Sequence, residues 1–261
     1  MSVVKGNEWT FNQVAEMYDK WRPAYVPELY EDIFAYKSID KASHVLEIGI
    51  GTGQATLPFL NTGCQLTAVE LGDRLAKIAG EKFHEYPEFK IAVMPFQDYR
   101  CADNTFDLIY PASAFHWIPE QIGYGKVYKM LKPGGVFARF ACHPWFDTNG
   151  QEELAAAIYR VYRKFVPEAK ASSEYGEEDA RRRADIAAKY GFADIQYKLY
   201  YRTQVYSSEE YIKRISIEND KIALPKDKRD GLLAGIRSVI DRYGGTLTLY
   251  TTTDLNLARK M

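Results

Sequence analysis

Three glycines and one carboxylate stand at spacings that suit a ligand-binding loop at the end of a strand. The run Val45-Leu46-Glu47-Ile48-Gly49-Ile50-Gly51-Thr52-Gly53-Gln54 passes from an apolar stretch straight into alternate glycines. Glycine at 49, 51 and 53 lets the backbone turn tightly and approach a ligand with no Cβ in the way, and a helix beginning after Gly53 would present free N–H groups. The spacing is GxGxG, not the GxGxxG of dinucleotide sites. Glu70 ends the next apolar run, at the carboxyl edge where open α/β sheets bind ligands, and a carboxylate there can accept two ribose hydroxyls. The plain alternatives are a tight turn that binds nothing and a solvated loop carboxylate.

Two further constellations carry possible chemistry. His116 follows the apolar run 106–110 and is flanked by Phe115 and Trp117. Its ordinary pKa suits acid-base work near neutral pH, while a hydrogen-bonded wall residue fits the same setting. Tyr18 and Arg22 are four residues apart and share one face of a helix, or belong to an amphipathic helix that covers a sheet. His44, His84 and His143 have no shared ligand spacing, and Cys64, Cys101 and Cys142 form no CxxC, so neither a metal nor a disulfide framework is expected.

The elements that must position these residues are legible as alternation. Apolar runs at His44–Ile48, Gln65–Glu70, 90–93, 106–110 and 136–141 alternate with stretches 54–61, 73–86 and 120–131, long enough for crossover helices. That pattern predicts a parallel, doubly wound sheet. Beyond Pro144, residues 151–165 and 177–190 read as helices, and Gly191 stops the second before an aromatic strand over 195–205. Ser207 suits an N-cap, with Glu209 and Glu210 in the first turn of a helix to about residue 217. Another helix is expected over 226–242, closed by Gly244-Gly245, and the Leu/Thr alternation over 246–258 predicts a last strand at or near the sheet edge.

Composition narrows the function classes. With 261 residues, 46% apolar, and 34 Lys plus Arg against 35 Asp plus Glu, the chain can bury one large core and lacks the positive charge that non-specific nucleic-acid binding needs. The basic run Arg181-Arg182-Arg183 follows the acidic run Glu177-Glu178-Asp179, which reads as a solvated helix with local ion pairs. No window reaches the length of an apolar membrane span and no signal core opens the chain, so a cytoplasmic protein is expected.

These motifs, in this order, resemble the class I S-adenosylmethionine-dependent methyltransferases, in the small-molecule branch called type 11. The resemblance also rests on Phe106-Asp107-Leu108-Ile109, Ala114-Phe115-His116-Trp117 and Leu131-Lys132-Pro133-Gly134-Gly135, and covers about residues 10–145. It implies a Rossmann-like, doubly wound, mostly parallel seven-stranded sheet with an antiparallel last strand. It further implies a helical N-terminal lid over 1–37, a cofactor-binding core over 38–145, and helical insertions after strands five and six with the last two strands over 146–261. S-adenosylmethionine is the implied cofactor and S-adenosylhomocysteine the product. Glu47, Gly49, Gly51 and Gly53 would surround its methionine part, Glu70 would hold the ribose, and Leu71 would flank the adenine.

The adenine rim corresponds to Pro95-Phe96-Gln97-Asp98-Tyr99, where Pro95 and Gln97 replace the polar and acidic residues of many relatives. Adenine would then meet the Phe96 face, a Phe96 or Gln97 backbone N–H and the Gln97 amide, unless Phe96 is plain core. Phe11 to Tyr25 resembles the family's leading segment, in which Arg22 would pair with the cofactor carboxylate and Tyr18 would cover the sulfonium. His116 becomes the candidate base or acceptor contact. The implied function is methyl transfer to a small-molecule acceptor by a monomer or weak homodimer. The alternatives are an RNA or protein methyltransferase, a non-catalytic cofactor-binding Rossmann protein, and an oxidoreductase.

Overall fold

The computed structural model describes residues 9–146 and 150–261; the first eight residues of the expected lid lie outside them. In chain order the helices are α1 (Ala15–Trp21), α2 (Pro27–Tyr36), α3 (Leu57–Leu60), α4 (Asp73–Lys82), α5 (Glu120–Met130), α6 (Glu152–Phe165), α7 (Glu177–Asp185), α8 (Ser208–Ser216), α9 (Asn219–Ile222) and α10 (Lys226–Arg242). The strands are β1 (His44–Ile48), β2 (Gln65–Glu70), β3 (Phe89–Val93), β4 (Phe106–Pro111), β5 (Leu131–Trp145), β6 (Phe192–Ser207) and β7 (Thr246–Lys260). They form one seven-stranded sheet in the order β3-β2-β1-β4-β5-β7-β6.

The pairs β3/β2, β2/β1, β1/β4 and β4/β5 are parallel, and the sheet turns antiparallel at the last strands. β7 lies one place in from the edge strand β6, in keeping with its expected position. Strand order reverses about β1, which has β2 on one side and β4 on the other. That reversal opens a crevice at the carboxyl ends of β1 and β4, the usual ligand position in such sheets.

Two compact units divide the described residues: one holds those of 1–22, 143–175 and 201–252, the other 23–142, 176–200 and 253–261. The second is built on the central strands, whose side chains alternate between two apolar layers as a doubly covered parallel sheet requires. Val45, Leu66, Leu108 and Val136 face Leu29 and Ile33 of α2, Phe59 of α3, and Ala79 of α4. Leu46, Ile48, Ile109 and Phe137 face Tyr124, Val127 and Met130 of α5. In the first unit, Leu154 and Ile158 of α6, Tyr211 and Ile215 of α8, and Leu232, Ile236 and Ile240 of α10 make a separate core.

Several expectations hold closely. Residues 226–242 are helical throughout, and Ser207 caps α8, its Oγ accepting from the Glu210 N–H at 3.3 Å while the Glu210 carboxylate accepts from the Ser207 N–H at 2.9 Å. The helix expected over 54–61 is corrected. Gly51 and Gly53 have φ of 59° and 88°, outside any right-handed helix; residues up to 56 form turns, and only Leu57–Leu60 are helical. No helix therefore starts at Gly53, and the expected row of free N–H groups is not formed there. The expected helix 177–190 is α7 followed by a 3-10 turn, Ala187–Tyr190, which Gly191 closes at φ 89°. Strands five and six run longer than their apolar cores, because sheet pairing carries the chain past the apolar run.

Phe59 is fully buried, stacks on Tyr110 at 4.1 Å, and meets Tyr30 and Phe34 edge-on. Phe59→Ala is expected to destabilise the fold by about 3 to 5 kcal/mol, the range for deleting a buried phenyl ring, read as a lower urea-unfolding midpoint.

Candidate active site

Glu47 is the second carboxylate at this crevice and is fully buried on β1. In the β1/β4 register it stands beside Tyr110. Its Oε2 accepts from the Tyr110 hydroxyl at 2.8 Å and from Thr56 Oγ1 at 2.7 Å, while Oε1 is buried with no hydrogen-bond partner among the described residues. Burial pushes its pKa up to about 8 against the pull of the two hydroxyl donors, with the nearby Glu70 charge adding to the rise. A buried acid with an unmet oxygen is a place where a donor or a cation would be stabilised.

Glu70 ends β2 and is 7% exposed. One of its oxygens accepts from the Gly51 N–H at 2.8 Å and the other from the Gly72 N–H at 2.9 Å. A carboxylate has about four acceptor positions, so each oxygen keeps capacity for a hydroxyl. Burial raises its pKa, opposed by these N–H donors. The loop itself is held by the Gly49 N–H on the Val69 carbonyl at 2.8 Å, and by Lys82 Nζ of α4 on the Thr52 carbonyl at 2.7 Å.

The glycines do more than admit a ligand. A Cβ on Gly49, at φ 71°, would lie 2.5 Å from the Ala114 Cβ, and one on Gly53, at φ 88°, 2.3 Å from the Phe83 ring. The turn carrying His116, Phe115–Trp117, is thereby seated directly on the glycine loop. Ser113 begins this turn at φ 55°, donates its N–H to the Phe140 carbonyl at 2.9 Å and shares a 2.8 Å hydrogen bond between its hydroxyl and that of Tyr25. His116 is exposed and its ring leans on Trp117 at 4.9 Å.

Leu71 is half-buried just past β2, and the backbone after β3 is tied to the same edge by the Met94 N–H on the Glu70 carbonyl at 2.8 Å. Phe96 is 5% exposed and belongs to the core layer with Leu46, Ile48 and Val69. Lys126 Nζ donates to the Phe96 and Gln97 carbonyls at 2.6 and 2.9 Å. Gln97 borders a groove of about 460 Å³ shared with Tyr99, Arg100 and Lys126.

Glu47, Gly49, Gly51, Gly53, Glu70, Leu71, Phe96, Gln97 and His116 thus all fall in one compact unit, whereas Tyr18 and Arg22 belong to the other. Tyr18 and Arg22 do share a face, with the Arg22 guanidinium 5.8 Å from the Tyr18 ring. Thr56, Tyr110 and Ser113 were missed in the sequence. A threonine and a tyrosine set in apolar runs were the available signal for the first two, and none marked the positive φ of Ser113.

Comparison with known proteins agrees with this geometry. Residues 46–139 match the family described as "Methyltransferase domain". An uncharacterized methyltransferase of Schizosaccharomyces pombe is 22% identical over 88% of this chain and 87% of its own length. The sterol 24-C-methyltransferase of Saccharomyces cerevisiae is 30% identical over 48% of this chain, which spans only 33% of that enzyme. In structure, phosphoethanolamine N-methyltransferase 2 of Haemonchus contortus, solved with phosphomonomethylethanolamine and S-adenosylhomocysteine, superposes with a TM-score of 0.56 at 17% identity, over 95% of this chain and 57% of that one. The glycine loop and the strand-end carboxylates lie within the matched residues, and the strand order is that of the Rossmann-like methyltransferase fold.

Proposed function

We propose that this chain is a class I S-adenosylmethionine-dependent methyltransferase that methylates a small-molecule acceptor, with His116 facing that acceptor. The observation that carries the cofactor half is the pair of buried carboxylates at the switch point. Glu70 keeps acceptor capacity for a ribose diol, and the unmet Glu47 oxygen suits the ammonium of the methionine part. Support for a small acceptor comes from relatives named for a sterol and for phosphoethanolamine, and from a near-neutral chain charge.

Bound S-adenosylmethionine supplies an electrophilic methyl; the acceptor's lone pair forms the new bond, the C–S electron pair stays on sulfur as S-adenosylhomocysteine, and the acceptor gives up its proton. In this reading the chain's own residues hold and orient, which can supply about 7 to 11 kcal/mol of the barrier, and His116 takes the acceptor's proton. Arg22 and Tyr18 complete the reading as the cofactor-carboxylate partner and the sulfonium cover. Phe96, from the core layer, offers adenine its backbone, and Gln97 its amide. We place the enzyme in the cytoplasm; no helix among the described residues is long and apolar enough to cross a membrane.

The direct test is methyl transfer from labelled S-adenosylmethionine to a metabolite extract, where labelling of RNA or protein alone would refute the small-molecule reading. In thermal melts, S-adenosylhomocysteine is expected to raise the Tm and NAD to leave it unchanged. A ligand at a hundred times its Kd adds about 2.7 kcal/mol. Glu70→Ala is expected to weaken cofactor binding by about 1.5 to 3 kcal/mol by calorimetry, the range for hydrogen bonds to a charged group.

Glu47 adds a pH signature. Its pKa is higher folded, about 8, than the ordinary 4.5, so its contribution to stability is full below pH 4.5 and is lost as pH rises to about 8. The Tm of the ligand-free protein should therefore carry a falling component across that window that Glu47→Gln removes. A cationic amine beside it favours the ionised form, so cofactor binding at pH 7 is expected to release a proton, seen as a buffer-dependent binding enthalpy. For the lid, hydrogen exchange over residues 11–25 is expected to slow on adding S-adenosylhomocysteine; equal exchange at saturation would make the segment a static cover.

A further inference from the structure

Arg139 stands near the carboxyl end of β5. The register pairs Ile109 with Phe137, and Ala112 with Phe140, so Arg139 is level with the end of β4, where the His116 turn begins. Its guanidinium lies 5.2 Å from the Phe115 ring, and its Nη1 donates to the Tyr124 hydroxyl at 2.9 Å. Among the described residues, its buried Nε has no hydrogen-bond partner and no carboxylate lies within ion-pair distance of Arg139. A second guanidinium, that of Arg183 on α7, is close enough to add to the burial that lowers the Arg139 pKa.

The acid that acts on both, Asp254, is fully buried and already engaged, accepting from Arg183 Nη1 at 3.0 Å and from Asn256 Nδ2 at 2.8 Å. Asn256 is itself 7% exposed, and its Oδ1 is buried without a partner. Among the described residues, the Arg139 guanidinium thus has no carboxylate of its own beside the candidate acceptor turn. Arginine cannot shed its proton to relieve this, so the unmet charge calls for an anion. Its planar fork matches the two oxygens of a carboxylate or phosphate. The Phe115 face and the Tyr124 hydroxyl stabilise the cation without neutralising it.

We propose that the acceptor carries an anionic group, a carboxylate or a phosphate, which docks on the Arg139 guanidinium beside the His116 turn. This rests on the methyltransferase reading above and narrows its substrate class. Arg139 acts here as a specificity-determining contact.

To test it, a mixed metabolite extract is split on an anion exchanger, and each fraction is assayed with the full chain for methyl transfer from labelled S-adenosylmethionine. Acceptor activity is expected in the retained fraction; activity confined to the unretained fraction overturns the proposal. Phosphatase treatment of the retained fraction abolishes activity if the anion is a phosphate monoester and leaves it intact if it is a carboxylate. With the purified acceptor, Arg139→Gln is expected to raise KM tenfold or more while changing kcat less, and to bind S-adenosylhomocysteine within twofold of the parent affinity. Arg139→Lys, which keeps the charge and loses the fork, is expected to fall between and serves alone if the Gln variant does not fold. An unchanged KM in either variant overturns the proposal. Failure of the parent to bind S-adenosylhomocysteine would instead overturn the cofactor reading itself, before any question of the acceptor.

Discussion

A carboxyl group with no access to water, Glu47, constrains much of what surrounds it. Burying an acid is costly unless donors meet it, and the two that do, Thr56 and Tyr110, come from different elements. Tyr110 is itself fully buried and fixed by stacking between Phe59 and Phe140, at 4.1 and 5.9 Å. Thr56 delivers its hydroxyl only because the chain from Gly51 to Thr56 turns instead of winding into a helix. The acid, the aromatic stack and the irregular loop are therefore one unit, and the glycine loop keeps its shape through contacts made beneath it.

That dependence explains what could and could not be read from the chain. Strands β1, β2 and β4 were legible because their apolar runs are short, continuous and buried on both faces, and α8 was legible because its cap is a local pattern of side chains and backbone. The start of the helix after Gly53 was not. The motif specifies glycines, but the space a side chain would need at Gly53 and Gly49 is taken by Phe83 and Ala114, thirty and more than sixty residues away. The partition of the chain was hidden for the same reason. Residues 23–36 look continuous with the leading segment, yet Leu29, Tyr30 and Ile33 of α2 are core residues of the sheet-bearing unit, and its boundary falls after Arg22. Arg139 sits in an apolar strand as a single interruption, and nothing in its neighbours along the chain says that it lacks a carboxylate partner.

Buried charge is handled differently elsewhere in the molecule. In the other unit, Glu218 accepts from Arg214 at 3.1 Å and from Lys221 at 2.7 Å, and Lys221 also reaches Asp220 at 3.0 Å. All four residues lie within eight positions of sequence at the junction of α8 and α9, so one short stretch folds with its charges already matched. Lys221 can be 3% exposed there because each neighbour along the chain supplies a partner. Around Arg139 the charges arrive on β5, α7 and β7, three elements that come together only through tertiary packing, and Arg139 itself has no carboxylate within ion-pair distance among the described residues. The Glu218 cluster is matched by neighbours along the chain, whereas the buried Nε of Arg139 keeps no partner among the described residues.

The His116 turn shows how a backbone position is fixed without relying on the histidine side chain itself. Gly49 leaves room for Ala114, and Gly123 of α5 leaves room for Phe115, where a Cβ would come within 2.7 Å of the ring. Ser113 is held in a left-handed conformation that costs a non-glycine residue energy, and it keeps it through a backbone bond to Phe140 and a hydroxyl bond to Tyr25. Tyr25 in turn packs edge-on against Phe140 at 4.8 Å. The turn is wedged between two glycines and anchored to β5, so the direction in which His116 leaves the backbone is set by structure that the core has already ordered. With the backbone held this way, only the rotamers of the exposed His116 ring remain to be ordered when anything binds against it.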